Sequence, residues 1–135
     1  MARVASMHVG ATGKATCTVE KGKNTAAELG SGDMDVFGTP AMVALMEAAA
    51  CDALRSGLAA GETSVGTHVD VKHLAATPLG MQVTATASVS SVEKRTVTLE
   101  VEARDSGGAA IGSGTHTRQV VTRDKFFAKV QGRLA

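Results

Sequence analysis

Hydrophobic and polar positions along the chain change their period several times, and each change marks a predicted element. Residues 15–19 alternate apolar with polar side chains, which is the period of two of a half-buried strand. Residues 21–38 are rich in Gly, Asn, Asp and Ser, so they predict a long loop with one short helical turn at 26–29. A loop of this length in a small domain often covers or lines a binding site.

A long apolar helix is predicted after this loop, at residues 40–56. Its start is well defined, because the hydroxyl of Thr39 can cap free N–H groups and Pro40 is tolerated in the first helical turn. Gly57 ends the helix. The helix carries so little polar surface that other elements must cover most of its sides.

Four segments of clean alternation follow the helix and predict the strands of an antiparallel meander. They lie at about residues 65–74, 81–90, 97–102 and 110–122. Alternate residues of the first segment predict an inward face of Val65, Thr67, Val69, Val71 and His73. In the last segment, Gly112 and Gly114 indicate a bulge or the close approach of another backbone or a ligand.

The chain ends in a short predicted helix, which Asp124 caps and which packs Phe126, Phe127 and Val130 on the sheet. Together the elements predict an α+β fold of the hotdog type, in which an antiparallel sheet wraps around one long apolar helix. Because such a sheet leaves unpaired edges, we expect a homodimer.

Composition narrows the class of protein. The 135 residues are 44% hydrophobic and 20% charged, as in one globular domain. A net charge of +1 and three aromatic residues, all Phe, argue against nucleic-acid binding. The longest apolar run, residues 41–51, is far short of the roughly 20 residues that cross a membrane. The two cysteines fit no metal-binding spacing, so we expect free thiols in a reducing cytoplasm.

Glu47 is the first candidate for chemistry. It interrupts the apolar helix and lies roughly 135° from the middle of the side formed by Asp52, Arg55 and Ser56, the predicted solvent face. A carboxylate there loses hydration unless it is paired or used, and such groups are enriched at functional sites. The alternatives are a residue at the helix margin whose stem reaches water, or a buried structural hydrogen-bonding group.

Two further candidates, His73 and Thr39, each have a structural alternative. The alternation turns His73 inward, where an imidazole is either catalytic or bonded to a backbone carbonyl, and the structural alternative weighs more for His116. Thr39 either caps the helix or also helps to hold an oxyanion. Thr39 and Glu47 lie about 12 Å apart along the helix, so they meet only through a substrate or water, or across a dimer interface. A hydroxyl, a carboxylate and an imidazole facing an apolar interior are the elements of acyl transfer.

Several blocks of sequence carry a family resemblance: residues 37–47 (FGTPAMVALME), 66–67 (GT) with 73–80 (HLAATPLG), and 112–116 (GSGTH). From about residue 37 to 130 the chain is similar to the fluoroacetyl-CoA thioesterase-like group of hotdog-fold thioesterases. The resemblance implies hydrolysis of an acyl-CoA to the acid and free CoA, without a metal or cofactor. It also agrees with a homodimer or a dimer of dimers.

The resemblance implies a catalytic set of Thr39, Glu47 and His73, with Gly66 helping to place the thioester. Glu47 is then the base for water or the direct nucleophile, His73 the general acid and base, and Thr39 the group that orients both. The other candidates for contact with the substrate are aromatic or basic: Phe37, Arg118, Lys72, Lys125 and Lys129. The basic residues are considered for the phosphates of CoA.

The loop before Phe37 departs from the family, because residues 30–35 (GSGDMD) contain no aromatic side chain. We therefore expect a small or medium acyl-CoA, or an acyl carrier thioester, and the loop by itself does not indicate whether the acyl group is fluorinated. The alternative class is a non-catalytic hotdog module that binds an acyl thioester or another small apolar ligand. For such a module we expect saturable binding of the ligand without turnover.

Overall fold

The computed structural model describes residues 7–134 of the chain. Its helices and strands, in chain order, are β1 (Thr12–Thr18), α1 (Ala26–Leu29), α2 (Thr39–Leu54), β2 (Glu62–His73), β3 (Gln82–Glu93), β4 (Thr96–Asp105), β5 (Ala110–Thr122) and α3 (Arg123–Gln131). Short 3₁₀ turns follow α2 at Arg55–Gly57 and α3 at Gly132–Leu134. These bounds agree with the predicted helical turn, long helix and last strand.

The five strands form one antiparallel sheet in the order β1-β3-β4-β5-β2. The predicted meander is correct for β3, β4 and β5, but its first strand is misplaced. β2 pairs with β5, and β1 takes the free edge of β3. The connection 74–81 is too long for a tight hairpin, and the Thr77 carbonyl in it accepts a hydrogen bond of 3.0 Å from the Phe37 N–H of the loop before α2.

The sheet curls around α2 and confirms the predicted α+β hotdog architecture. The core face of α2 consists of Met42, Leu45, Met46, Ala49, Ala50, Ala53 and Leu54. It packs on alternate residues of the strands, which include Val83, Ala85, Val97, Leu99 and Ala103. Among residues 7–134, no helix is long and apolar enough to span a membrane.

β1 crosses α2 at Gly13 with almost no space between the two backbones. A Cβ atom built on Gly13 would overlap the backbone of Ala49 and Ala53. The neighbouring Lys14 N–H donates a hydrogen bond of 3.0 Å to the Asp52 carboxylate at the end of the helix. Only a glycine lets the strand lie this close, so Gly13 sets the distance between β1 and α2.

Two expectations for the C-terminal helix are wrong. The N-cap of α3 is Thr122, so Asp124 lies inside the first turn and does not cap the helix. Phe126, Phe127 and Val130 are exposed, with 62% of Phe127 accessible to solvent, instead of packing on the sheet. Thr122 forms the last pair of β5 with β2, so α3 begins where this strand pairing ends.

Candidate active site

The hydroxyl of Thr39 contacts the imidazole of His73 at the start of α2. Thr39 Oγ1 lies 2.7 Å from His73 Nδ1. The N-cap of α2 is Gly38, which offers no side-chain bond, so the prediction that Thr39 caps the helix is wrong. The hydroxyl is instead bonded to the imidazole at the end of β2. We call these two residues the Thr39 group.

The second ring nitrogen of His73 has no protein partner in the part of the chain that the structure describes. Within residues 7–134, Nε2 is buried and makes no hydrogen bond. Burial lowers the pKa of His73, and the nearby backbone of Ala75 partly opposes this shift. A neutral imidazole with a free nitrogen is suited to exchange a proton with a bound molecule.

Glu47 lies two turns further along α2 and contacts a different set of residues. Its Oε2 atom is 3.2 Å from Arg118 Nη1 and 3.6 Å from His116 Nε2. The Glu47 side chain is 38% exposed, while the two partners are buried. The carboxylate is therefore neither a free surface group nor a closed structural pair, because one side is held and the other is open.

Arg118 is buried beneath Glu47 and does not lie at a surface mouth. Its side chain is 8% exposed. Arg118 Nε donates 2.8 Å to Ser64 Oγ, and Nη2 donates 3.1 Å to the Ser64 carbonyl. A buried guanidinium requires such partners to compensate for lost hydration. We call Glu47, Ser64, His116 and Arg118 the Glu47 group.

Ser64, and the position of His116 beside Glu47, were not predicted from the sequence. One signal for the second was available: His116, Arg118 and Val120 are two residues apart on a predicted strand, so they share one face. All three are buried on the inward face of β5. The interpretation of His116 as a core histidine bonded to a carbonyl is correct, but it is incomplete.

A bulge in β2 brings Gly66 and Ser64 inward. The register with β5 shifts between Gly66 and His68, so Thr67 is an extra residue. Gly66 pairs with Arg118, and cross-strand partners share a face of the sheet. The predicted inward position of Val65 is therefore wrong, because the alternation is reversed before the bulge.

Gly66 leaves room for the Glu47 carboxylate. A Cβ atom at this position would lie 2.6 Å from Glu47 Oε2 and 3.1 Å from His116 Cε1. Any larger residue would displace the carboxylate from the strand. Gly66 therefore belongs to the surroundings of the Glu47 group.

The Thr39 group and the Glu47 group lie apart within one chain. No hydrogen bond joins them among the residues described, and eight residues of helix correspond to about 12 Å along its axis. On β2 the two groups are near Gly66 and His73, which are roughly 20 Å apart along an extended strand.

The grooves of the described chain do not bring these groups together either. A cavity of about 950 Å³ lies on the polar outer side of the sheet and contains none of the candidate residues. Phe37 is buried and borders a groove of about 420 Å³ beside α2, with Leu29, Ala44 and Ala48. Lys72, Lys125 and Lys129 are exposed.

Comparison with known proteins identifies relatives of this chain. The family model of FlK, the fluoroacetyl-CoA-specific thioesterase, matches residues 19–124. The fluoroacetyl-CoA thioesterase of Streptantibioticus cattleyicolor is 50% identical over 97 residues, which are 72% of this chain and 69% of that protein.

Solved structures agree with these sequence matches. A variant of FlK in complex with acetyl-CoA has a TM-score of 0.86 and 39% identity, over 96% of this chain and 100% of that one. A thioesterase superfamily member from Thermus thermophilus has a TM-score of 0.82 and 27% identity, over 94% of this chain and 95% of that one.

The curled sheet around one helix, together with these relatives, defines a hotdog-fold thioesterase, an enzyme that hydrolyses acyl-CoA thioesters. Within this class, the chain belongs to the FlK family of fluoroacetyl-CoA-specific thioesterases. The family and the enzyme class inferred from the sequence blocks are confirmed.

Proposed function

We propose that this enzyme hydrolyses a small or medium acyl-CoA at two composite sites of a homodimer. Each site combines the Glu47 group and Gly66 of one copy with the Thr39 group of the other. The observation that carries this proposal is the split of the catalytic set: Thr39 and His73 are bonded to each other, whereas Glu47 is bonded to Arg118 at a distance from them.

The edge strand β2 supports the dimer. Among the strands of residues 7–134 it pairs with β5 on one side only, and Val69 near its middle is 42% exposed although it shares the inward face. An unpaired edge is a template for a second strand, and homodimers usually have two-fold symmetry. When two copies of β2 pair antiparallel, the His73 end of one approaches the Gly66 end of the other. The gap within one chain is thereby closed.

The chemistry begins at the open side of the Glu47 carboxylate. Arg118 holds Oε2, so Oε1 is free to act in one of two ways. It takes a proton from the water that attacks the thioester carbonyl, or it attacks that carbonyl itself and forms an anhydride, which water then hydrolyses. In both cases the C–S bond breaks and the CoA thiolate leaves. The oxyanion that forms is stabilised by free N–H groups in the first turn of α2. The CoA thiolate has a conjugate-acid pKa near 8.5, so it can leave with only weak proton donation from His73.

A complementation experiment tests the composite site. Mixed dimers of Glu47→Gln and His73→Asn chains contain one intact composite site, formed by Glu47 of one chain and Thr39 with His73 of the other. Since half of randomly assorted dimers are mixed, we expect about a quarter of wild-type CoA release from a co-expressed mixture, although each variant alone is inactive.

In the control for this experiment, both chains of the mixture carry Glu47→Gln, and they are tagged and co-purified in the same way. It contains no intact site under any arrangement. If the Glu47→Gln and His73→Asn mixture forms verified mixed dimers but releases no more CoA than this control, each site lies within one chain and the composite site is wrong.

A second prediction concerns the stability of the fold against pH. Because burial lowers the pKa of His73 below its ordinary 6.5, the unfolded chain binds the proton more tightly than the folded one. The free energy of unfolding should therefore fall as the pH drops through about 6.5. Urea unfolding of wild type and His73→Asn should be measured at about pH 7.5 and 5.5. The free energy of unfolding should fall more between these two pH values in wild type than in His73→Asn. An equal loss in both would contradict the shift.

The loop before α2 is the feature that bears on the size of the acyl group. Residues 30–35 are exposed and contain no aromatic side chain, while Phe37 is buried. We propose that the acyl group is small or medium and that nothing in this loop selects for fluorine. Exposed Lys72, Lys125 and Lys129 are the candidates for the CoA phosphates, because Arg118 is already used beneath Glu47.

We also propose a cytoplasmic location. CoA thioesters are the substrates of this class, and Cys17 and Cys51 are both free thiols. Reduced cysteines are the usual state in the cytoplasm.

A further inference from the structure

His116 is a buried imidazole of the Glu47 group that the proposed mechanism does not use. It is 1% exposed, and its Nδ1 atom lies 2.8 Å from the carbonyl oxygen of His68. A carbonyl oxygen only accepts hydrogen bonds, so Nδ1 must carry a proton and donate it. The bulge at Thr67 is what brings the His68 carbonyl to this position on β2.

The other ring nitrogen of His116 faces a group that only donates. Nε2 lies 3.1 Å from Arg118 Nη1, and a guanidinium has no acceptor, while the Glu47 Oε2 atom at 3.6 Å is beyond hydrogen-bond distance. Nε2 must therefore offer its lone pair, which makes the ring neutral with its proton on Nδ1. A protonated ring would point a second N–H at the guanidinium and break this contact.

This contact completes the fixation of Arg118. Two donors, Nε and Nη2, are held by Ser64, and the two hydrogens of Nη1 are shared between His116 and Glu47. Ser64 anchors the far side of the guanidinium, so His116 sets the direction of the Nη1 hydrogen that reaches Glu47. That direction decides which carboxylate oxygen is held and which stays open.

We propose that His116 is a positioning residue for thioester hydrolysis. As a neutral acceptor, it holds Arg118 so that Arg118 binds Glu47 Oε2 and leaves Oε1 toward the substrate. The proposal rests on the role given above to Glu47. A purely structural histidine would need only the bond to the His68 carbonyl, whereas here both ring nitrogens are engaged and the second leads to the carboxylate.

Two substitutions test the two hydrogen bonds of the His116 ring separately. The amide of His116→Asn can reach the place of Nδ1 and donate to His68, but it offers no acceptor to Arg118. The longer His116→Gln side chain can place its oxygen near the position of Nε2 and accept from Arg118. We expect kcat to fall about 100-fold in His116→Asn with little change in KM, since a small misplacement of a reacting group has this effect. His116→Gln should recover most of that loss.

A double-mutant cycle then tests whether His116 acts through Arg118. In an Arg118→Lys background, His116→Asn should lower kcat by much less than in wild type, because the contact that it removes is already lost. Additive effects, or equal losses in His116→Asn and His116→Gln, would overturn the positioning role. Thermal denaturation of each variant separates these outcomes from unfolding.

The same assay distinguishes failure of this inference from failure of the proposed site. If Glu47→Gln is inactive but His116→Asn keeps the wild-type kcat, only the role of His116 is wrong. If Glu47→Gln itself keeps the wild-type rate, the proposed role of Glu47 fails, and the inference fails with it.

Discussion

Replacing Glu47 by glutamine should lower kcat for acyl-CoA hydrolysis about 10³-fold, the size of effect expected when a general base or its equivalent is lost. The amide keeps the volume of the side chain and an oxygen that can accept from Arg118. It cannot take a proton from water or form an acyl intermediate. CoA release, followed with a thiol reagent at saturating acyl-CoA, measures the change.

A matched control is Glu93→Gln, which makes the same chemical change at an exposed position in the hairpin between β3 and β4. It should leave kcat within about twofold of wild type, as for a surface substitution away from special features. Because Glu47→Gln also removes the anion beside buried Arg118, thermal denaturation must accompany the assay. A folded Glu47→Gln enzyme with a rate like that of Glu93→Gln would exclude Glu47 from the chemistry.

Replacing Gly13 by alanine should destabilise the fold by about 3 kcal/mol, the upper part of the range for overpacking. The added Cβ overlaps the backbone of Ala49 and Ala53, and neither is the end of a flexible side chain. β1 and α2 would have to separate, and the Lys14 N–H bond to Asp52 would lengthen. Urea unfolding of wild type and Gly13→Ala measures the difference in free energy.

Gly132→Ala is the control, because it makes the same change at a position where the added Cβ atom contacts nothing. Gly132 has a φ of −60°, and nothing lies within 4 Å of a Cβ atom placed there. Its free energy of unfolding should stay within about 0.5 kcal/mol of wild type. An unfolding midpoint of Gly13→Ala equal to that of Gly132→Ala would mean that the strand does not pack on the helix as the structure has it.

The helix and most strands could be predicted because their signals are local. The proline after Thr39 and the apolar run mark α2, and alternation with turn residues marks β3, β4 and β5. The blocks of residues shared with the thioesterase family were enough to give the family and the class of reaction. None of these inferences depends on which elements touch.

The partners of the site residues could not be predicted in the same way. A single inserted residue, Thr67, reverses the alternation in β2, so Ser64 and Gly66 turn inward and Val65 does not. The position of Arg118 beneath Glu47 depends on β2 pairing with β5, and the turn sequence between β2 and β3 suggested a different neighbour.

The chain by itself therefore determined its elements, its family and the residue types that do the chemistry, since propensity, period and shared blocks are written in consecutive residues. Only the tertiary structure decided that Thr39 bonds His73 instead of capping its helix, and that Glu47 is bound to Arg118 and lies beside His116. These contacts join residues between 34 and 71 positions apart. They are fixed by strand order, by one bulge and by the burial of a charge, and such long-range choices leave no periodic trace in the sequence.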